Sequence, residues 1–504
     1  MKLNIYIKNA LLGVLLLTGF SGCKKDFLEV IPKGMLIPTT TEDFNLLMNY
    51  SGYYYSNAGL YQPAMLMGDE MSAEIEKFNT TSFIYPGYFF KWQDDIFIPS
   101  TQQNSSFDRP AFLSGSLSNI YSLNAIINNV MDATEGTGEK KADILGQALA
   151  SRAFINFQLI NYFAKPYSSQ TASSDPGFPM ITTDDVRRTD FSRGTVQQAY
   201  DFIIDDLKRA IDILKISPEI QTRMSKPAAE ALLGKVYLFM NNSEQALVYL
   251  NLAMDHISSM RVKPRLYDYN IELAPGGSFY PINAVNGPNS PFANMTDLTE
   301  SIVARISYNG TNRGTGYGND FLTISPKTVN LYQPDDWRLK LYSDKTREQN
   351  PIPVASGGPI RLKKYGLTYA RIGMELSELY LLRAEAYARL GNLNQAKEDV
   401  EFLRKKRMPI ASANVPTEAM ADKKSLVSFI MDERIREFAA QGHRWFDMRR
   451  LSVDPLFSGL TFDKHQLYGT DGLVLEEYTL DPKRLTLRIP KPYLDAHPEM
   501  VDNP

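Results

Sequence analysis

The sequence predicts a mainly α protein: antiparallel helix pairs forming a scaffold, with a large inserted loop-rich lobe containing a few short strands. Three observations predict it. The first is a repeated spacing. In 227–256, Gly234, Tyr237, Ala246, Leu250 and Ala253 fall at offsets 0, 3, 12, 16 and 19. In 375–407, Ala384, Tyr387, Ala396, Val400 and Leu403 fall at the same offsets. Small residues let two antiparallel helices approach, and the Tyr and aliphatic side chains fill the gap, so these segments are tetratricopeptide-like. The second is an interruption over about 262–369, where seven of the 17 residues from Pro275 to Pro291 are Gly or Pro. The third is composition. With 504 residues, 43% hydrophobic and 22% charged, the chain buries a large core without disulfides or metals.

Taken in order, the chain opens with a basic stretch (Lys2, Lys8) and an apolar run from Ala10 to Phe20. That run is too short to span a bilayer and reads as the core of a signal peptide over 1–22. It ends in Phe20-Ser21-Gly22-Cys23, which is similar to a bacterial lipobox, and Cys23 is the only cysteine in the chain. The spacing predicts acylation at Cys23 and a lipidated tether over 23–41, marked by Pro32 and Pro38. One folded domain is expected over 42–504. Its helical scaffold covers about 109–260 and 371–450, and its loop-rich ligand lobe about 51–107 and 262–369. Thr41 is expected to cap a short helix over 42–49. The segment 51–107 is irregular and aromatic, with the run Tyr53-Tyr54-Tyr55. Helices are expected over about 109–132 and 139–163. A third, weaker helix pair uses 152–163 and 196–214. Ser301 to Tyr308 alternates like a strand, as does Leu485 to Ile489. The run Arg404-Lys405-Lys406-Arg407 reads as the solvated end of a helix.

Composition excludes several classes of function. Lys plus Arg is 54 and Asp plus Glu is 57, so there is no basic field for nucleic acid. One Cys and four His, without an HExxH, argue against a Cys nucleophile and a Cys/His metal site. The Gly-rich stretch 309–319 lacks the Gly-Lys-Ser/Thr of a phosphate loop. No Gly-x-Ser-x-Gly occurs, and the adjacent acid pairs rarely face one site. No catalytic residue, metal or cofactor is therefore assigned.

The most specific motif is near the C-terminus: Glu433, Arg434 and Glu437, then Gly442, Arg444, Trp445, Asp447 and Arg449-Arg450. The helix that carries Glu433 is expected to stop at Gly442, and the motif's charges to tie the last helix to the helix pairs, with Trp445 buried. Together with the lipobox start and the ending Ile489-Pro490 and Asn503-Pro504, it resembles the SusD/RagB family of outer-membrane nutrient-binding lipoproteins. Two departures are Leu117, where the family usually has Trp, and Trp337 between Asp336 and Arg338.

The resemblance implies a lipid-anchored protein facing outward on the outer membrane. It would capture oligosaccharide and deliver it to a SusC-type TonB-dependent transporter. Oligopeptide capture, a protein–protein scaffold and a surface glycosidase are the alternatives. Sugars offer apolar C–H faces and a rim of hydroxyls, which call for aromatic planes beside Asp, Asn or Arg. The irregular segments hold candidates for such a ligand site: Asp69, Tyr88 and Trp92 in one, and Tyr308, Asn312, Tyr317 and Trp337 in the other. Trp92 with Tyr317 or Trp337 is the expected aromatic platform.

Overall fold

A computed structural model describes residues 38–57, 63–78, 84–97, 110–188, 191–283, 287–309, 311–312, 316–317, 321–344, 358–365 and 368–504. The signal segment, Cys23 and most of the tether lie outside the described residues.

Helix α1 (Thr41–Leu47) begins one residue earlier than expected. Thr40 is the cap because Asp43 closes a box with it: the Thr40 hydroxyl accepts from the Asp43 N–H, and the Asp43 carboxylate accepts from the Thr40 N–H. Two short helices follow in the first part of the lobe, α2 (Pro63–Met67) and α3 (Ile84–Phe90). The first run of scaffold helices is α4 (Ala111–Asn129), α5 (Gly138–Phe163), α6 (Val196–Ile213), α7 (Lys226–Phe239) and α8 (Ser243–Ser258). The second is α9 (Leu376–Arg389), α10 (Leu393–Arg404), α11 (Lys423–Phe438) and α12 (His443–Leu451). Each helix from α4 to α10 packs on the next, and α9 also packs on α11. The α8–α9 contact makes α5–α6, α7–α8 and α9–α10 one row of three pairs, although the rest of the lobe leaves the chain between the second and third.

The repeated offsets have a direct packing meaning. A Cβ on Gly234 would lie 2.6 Å from Leu250 Cγ and 3.2 Å from the Ala246 carbonyl oxygen. Ala246, Leu250, Ala253, Ala384, Ala396, Val400 and Leu403 are all fully buried. Both pairs also turn alike. Asn241 and Gly391 take left-handed φ values of 57° and 85°. The N–H groups of Asn242 and Asn392 then donate to the carbonyls of Tyr237 and Tyr387, each at 2.9 Å.

Three expectations need correction. Helix α11 ends at Phe438, not Gly442; Ala440 (φ 61°) turns the chain and Gly442 (φ 88°) caps α12. The run 404–407 is not a solvated end. Arg404 and Arg407 are buried on the inner side and paired to Glu433 (2.6 Å) and Glu437 (2.8 Å), while Lys405 stays exposed. A spacing of three residues puts both arginines toward α11, which the charge pattern alone does not reveal. Over 485–489 Leu485, Leu487 and Ile489 are buried, but Thr486 is buried with them, and the segment joins no sheet among the described residues. Instead the Leu487 N–H donates to the Tyr162 carbonyl at the end of α5, and the Asn503 amide donates to the carbonyls of Phe163 and Leu487.

The strands are short. The N-terminal part of the lobe gives β1 (Tyr55–Asn57) and β2 (Met71–Glu74). The expected strand over 301–308 is two, β3 (Ser301–Val303) and β4 (Ile306–Tyr308), broken where the Ala304 N–H donates to the Gln221 carbonyl. Then come β5 (Thr311–Asn312), β6 (Gly316–Tyr317), β7 (Leu322–Ile324), β8 (Tyr342–Ser343), β9 (Lys363–Lys364), β10 (Tyr369–Arg371) and β11 (Met374–Glu375). After the helices the chain adds β12 (His465–Tyr468) and β13 (Val474–Tyr478). One sheet has the order β1-β4-β10, with β4 parallel to β1 and antiparallel to β10; a second has the order β13-β12-β2-β7. The lobe is thus woven from segments hundreds of residues apart and cannot be cut from the scaffold as a separate unit.

Candidate functional site

The structure does not bring the expected platform together. Trp92 is a core residue, 5% exposed. It follows α3 in a left-handed conformation (φ 49°), a strain that its buried indole offsets. Its Nε1–H donates to the Met67 carbonyl at 3.0 Å, and its ring lies 3.7 Å from that of His465, whose other neighbour is Phe90 at 4.3 Å. Asp69 is also corrected. Its carboxylate is 4% exposed and is held by Arg444, whose Nε donates at 2.6 Å. Burial pushes this carboxyl up, but the Arg444 charge and hydrogen bonds outweigh it and hold it below its ordinary value. Enclosed at 4% exposure and paired with Arg444, this acid is not open to a sugar hydroxyl. Trp337 is half-buried at the scaffold seam. Its Nε1–H donates to Asn270 Oδ1 at 2.9 Å, and the Lys340 ammonium sits 4.1 Å from its ring centroid. Tyr88 is half-buried against the core. Asn312 and Tyr317 lie on the β5–β6 ribbon, and their side chains are outside the described residues.

What the structure does assemble is a row of three tyrosines beside a cleft. Tyr308 pairs across strands with Tyr369, their ring centroids 5.6 Å apart and their planes at 32°. On its other side it meets Tyr55 at 5.8 Å and 27°. The cause is register. β4 runs parallel to β1 with Tyr55 opposite Ile306, and residues 306 and 308 share one face of the sheet. All three rings are half-buried and so keep part of their surface in water. Tyr55 also lines a cleft of about 360 Å³ between residues 50–55, the start of α4 and the C-terminal half of α5. Its wall mixes Tyr54, Phe112, Phe154 and Tyr162 with Ser116, Asn119 and Gln158, and Arg305 is its one charged side chain among the described residues. Of the expected site residues only Tyr308 is here. Tyr53, next to the cleft-lining Tyr54 and Tyr55, is buried, so the run of three tyrosines divides between core and surface. Tyr369 and Arg305 gave no sequence signal, since only the pairing of β4 with β10 and the break after β3 place them.

The charged C-terminal motif is the interior of the molecule, not a ligand site. Arg434 Nε donates to Asp447 at 2.7 Å, and Arg450 spans Asp447 and Glu385, each at 2.8 Å. Glu433 meets Arg338, Arg404 and Arg436, and Glu437 meets Arg338 and Arg407. Trp445 is fully buried at the centre. Burial raises the Glu385 carboxyl, but Arg450 and Arg389 overcome it and bring it down to about 2.

Two family models match the chain, one described as starch-binding and associating with the outer membrane over residues 26–238, the other as the SusD family over 354–504. The chain belongs to the SusD family. It is similar to SusD-like protein P38 of Formosa agariphila, with 24% identity over 377 residues, 64% of this chain and 69% of that one. Among solved structures, a SusD superfamily protein of Bacteroides vulgatus superposes with a TM-score of 0.68 at 22% identity, covering 92% of this chain and 99% of that one. One from Bacteroides thetaiotaomicron gives 0.67 at 20%, covering 92% and 100%. A laminarin-binding SusD-like protein gives 0.60 at 17%, covering 93% and 100%. At these identities the superpositions establish a shared SusD fold. Neither of the two family-model matches covers residues 239–353, which contain α8 as well as β4 and its tyrosine.

Proposed function

We propose that this SusD-family chain is a lipid-anchored cell-surface protein that captures oligosaccharide and hands it to a SusC-type TonB-dependent transporter. The observation that carries the reading is the Tyr55–Tyr308–Tyr369 row, whose Tyr55 also lines the cleft. Sugar rings present apolar C–H faces, and partly exposed phenol rings cover them while their hydroxyls and the nearby Ser, Asn and Gln groups meet the sugar hydroxyls. Family membership and the laminarin-binding relative support the same ligand class. The fold offers a rigid scaffold with its irregular segments outside, an arrangement suited to recognition. The site is read as binding without hydrolysis.

The test is a binding screen of the full chain against laminarin, starch, other polysaccharides and short peptides, repeated with Tyr55→Ala, Tyr308→Ala and Tyr369→Ala. Each loss of a ring is expected to weaken glycan binding by about 1 kcal/mol, roughly fivefold, with little change in melting. Trp92→Ala is the control: it should lower stability by about 3 to 5 kcal/mol without selectively removing binding. Peptide binding without glycan binding, or unchanged glycan affinity in all three Tyr variants, would overturn the reading.

A further inference from the structure

Among the described residues, Arg305 stands in the cleft wall without a counter-ion. It is 3% exposed, and its acceptors are neutral: Nη1 donates to the carbonyls of Thr222 (2.8 Å) and Ala304 (2.9 Å), and Nη2 to Ser151 Oγ (3.2 Å). A guanidinium has five N–H groups. These contacts use three, leaving the Nε–H and one Nη2–H without a protein acceptor among the described residues. The face of the group rests 5.6 Å from the Phe154 ring, itself part of the cleft. The other buried arginines are mostly different. Arg338, Arg407, Arg434 and Arg450 each hold at least one carboxylate within 3.0 Å. Arg193, Arg223, Arg371 and Arg449 also hold none within 3.0 Å among the described residues, but none of them lines the cleft. Burial alone draws Arg305 down to about 10, with no neighbouring carboxylate to oppose it. Burying a cation without a partner anion costs free energy that a neutral site could avoid with an apolar residue of similar size.

We infer that the cleft favours acidic oligosaccharides, with Arg305 as the residue that meets a uronate carboxylate while the tyrosine row takes the neighbouring sugar face. The inference rests on the glycan-capture reading and narrows it to a ligand class. Charge-assisted hydrogen bonds between a guanidinium and a carboxylate are about twice as strong as neutral ones. No Asp or Glu among the described lining residues would repel such a ligand.

The experiment is calorimetric titration of the full chain with oligogalacturonate and oligomannuronate, against neutral laminari-oligosaccharides of equal length. A preference of at least tenfold for one of the uronates is expected. Arg305→Met should abolish that preference by lowering uronate affinity at least tenfold more than neutral affinity. Because Arg305 also bridges Thr222 and Ser151, its replacement can disturb folding. Gln158→Glu keeps Arg305 and places a carboxylate in the cleft wall; it should weaken uronate binding at least tenfold more than it weakens binding of the neutral glycans. Neutral oligosaccharides binding as tightly as both uronates, or a wild-type preference in Gln158→Glu, overturns this inference and leaves the glycan reading standing. Binding of no glycan at all overturns both.

Discussion

Asp69 and Glu70 are chain neighbours held in opposite charge states. Arg444 keeps Asp69 ionised, whereas Glu70 is fully enclosed, and burial, followed by the Asp69 charge, pushes its carboxyl from 4.5 up to about 8. A raised folded-state value means that the native chain keeps a proton that the unfolded chain has released. The contribution is therefore present in full below pH 4.5 and is lost as the pH climbs to about 8. Glu70→Gln removes that loss without changing the shape of the side chain. Urea unfolding across pH 4.5 to 9 should show the variant gaining on the wild type by a few kcal/mol toward the alkaline end, with little difference at the acid end. A constant offset across the range would mean that Glu70 is ionised in the folded protein. The same short stretch shows how a site residue is misread from sequence. An Asp in an aromatic, irregular segment suits sugar recognition, yet its partner lies 375 residues away.

At the scale of elements, two glycines of the repeat act through different physics. Gly234 faces its partner helix, where an added Cβ would lie 2.6 Å from Leu250. Gly391 has nothing within 4 Å and is needed only for its φ of 85°. Gly234→Ala should destabilise by about 1 to 3 kcal/mol through overpacking, eased when Leu250 is trimmed to Ala in the same chain. Gly391→Asn should be nearly neutral, since Asn241 fills the equivalent turn of the preceding pair with φ 57°. Melting temperatures of the three proteins check this, and a Gly391→Asn loss as large as that of Gly234→Ala would contradict the assignment. These helices were legible because a helix pair writes its contacts locally, within about 20 residues. Helix ends were less so. The switch from Thr41 to Thr40 at the first cap and from Gly442 to Phe438 at the end of α11 each depend on one side chain or one left-handed residue.

For the whole molecule, the buried ion pairs are the seams between distant parts. Arg444 joins α12 to the N-terminal part of the lobe through Asp69, Arg338 joins the inserted lobe to α11 through Glu433 and Glu437, and Arg361 reaches Glu74 at 2.7 Å. Among the described residues no helix is long and apolar enough to cross a membrane. On the proposed lipid-anchor reading, the acyl chains expected on Cys23 hold the protein at about 0.8 kcal/mol for each buried CH₂. Cys23→Ala is expected to move the protein from the membrane pellet to the soluble fraction after cell lysis. The same fractionation in gentle detergent should carry a β-barrel transporter with the wild-type chain. Pelleting of a fully processed Cys23→Ala protein would remove the lipid anchor from the account.

The sequence by itself determined the helical class, the matched helix pairs and the burial of Trp445 with its charged neighbours, because each follows from spacing within one or two elements. It also determined the class of site to look for, aromatic and polar on irregular segments. Which aromatics lie half-exposed side by side was decided only by tertiary structure. Trp92 and Asp69 were drawn inward by His465, Met67 and Arg444, while Tyr55, Tyr308 and Tyr369 came together from three strands whose pairing no local pattern encodes. Arg305 shows the same limit. Its lack of an acidic partner is a property of everything around it, and a sequence records only what lies beside it on the chain.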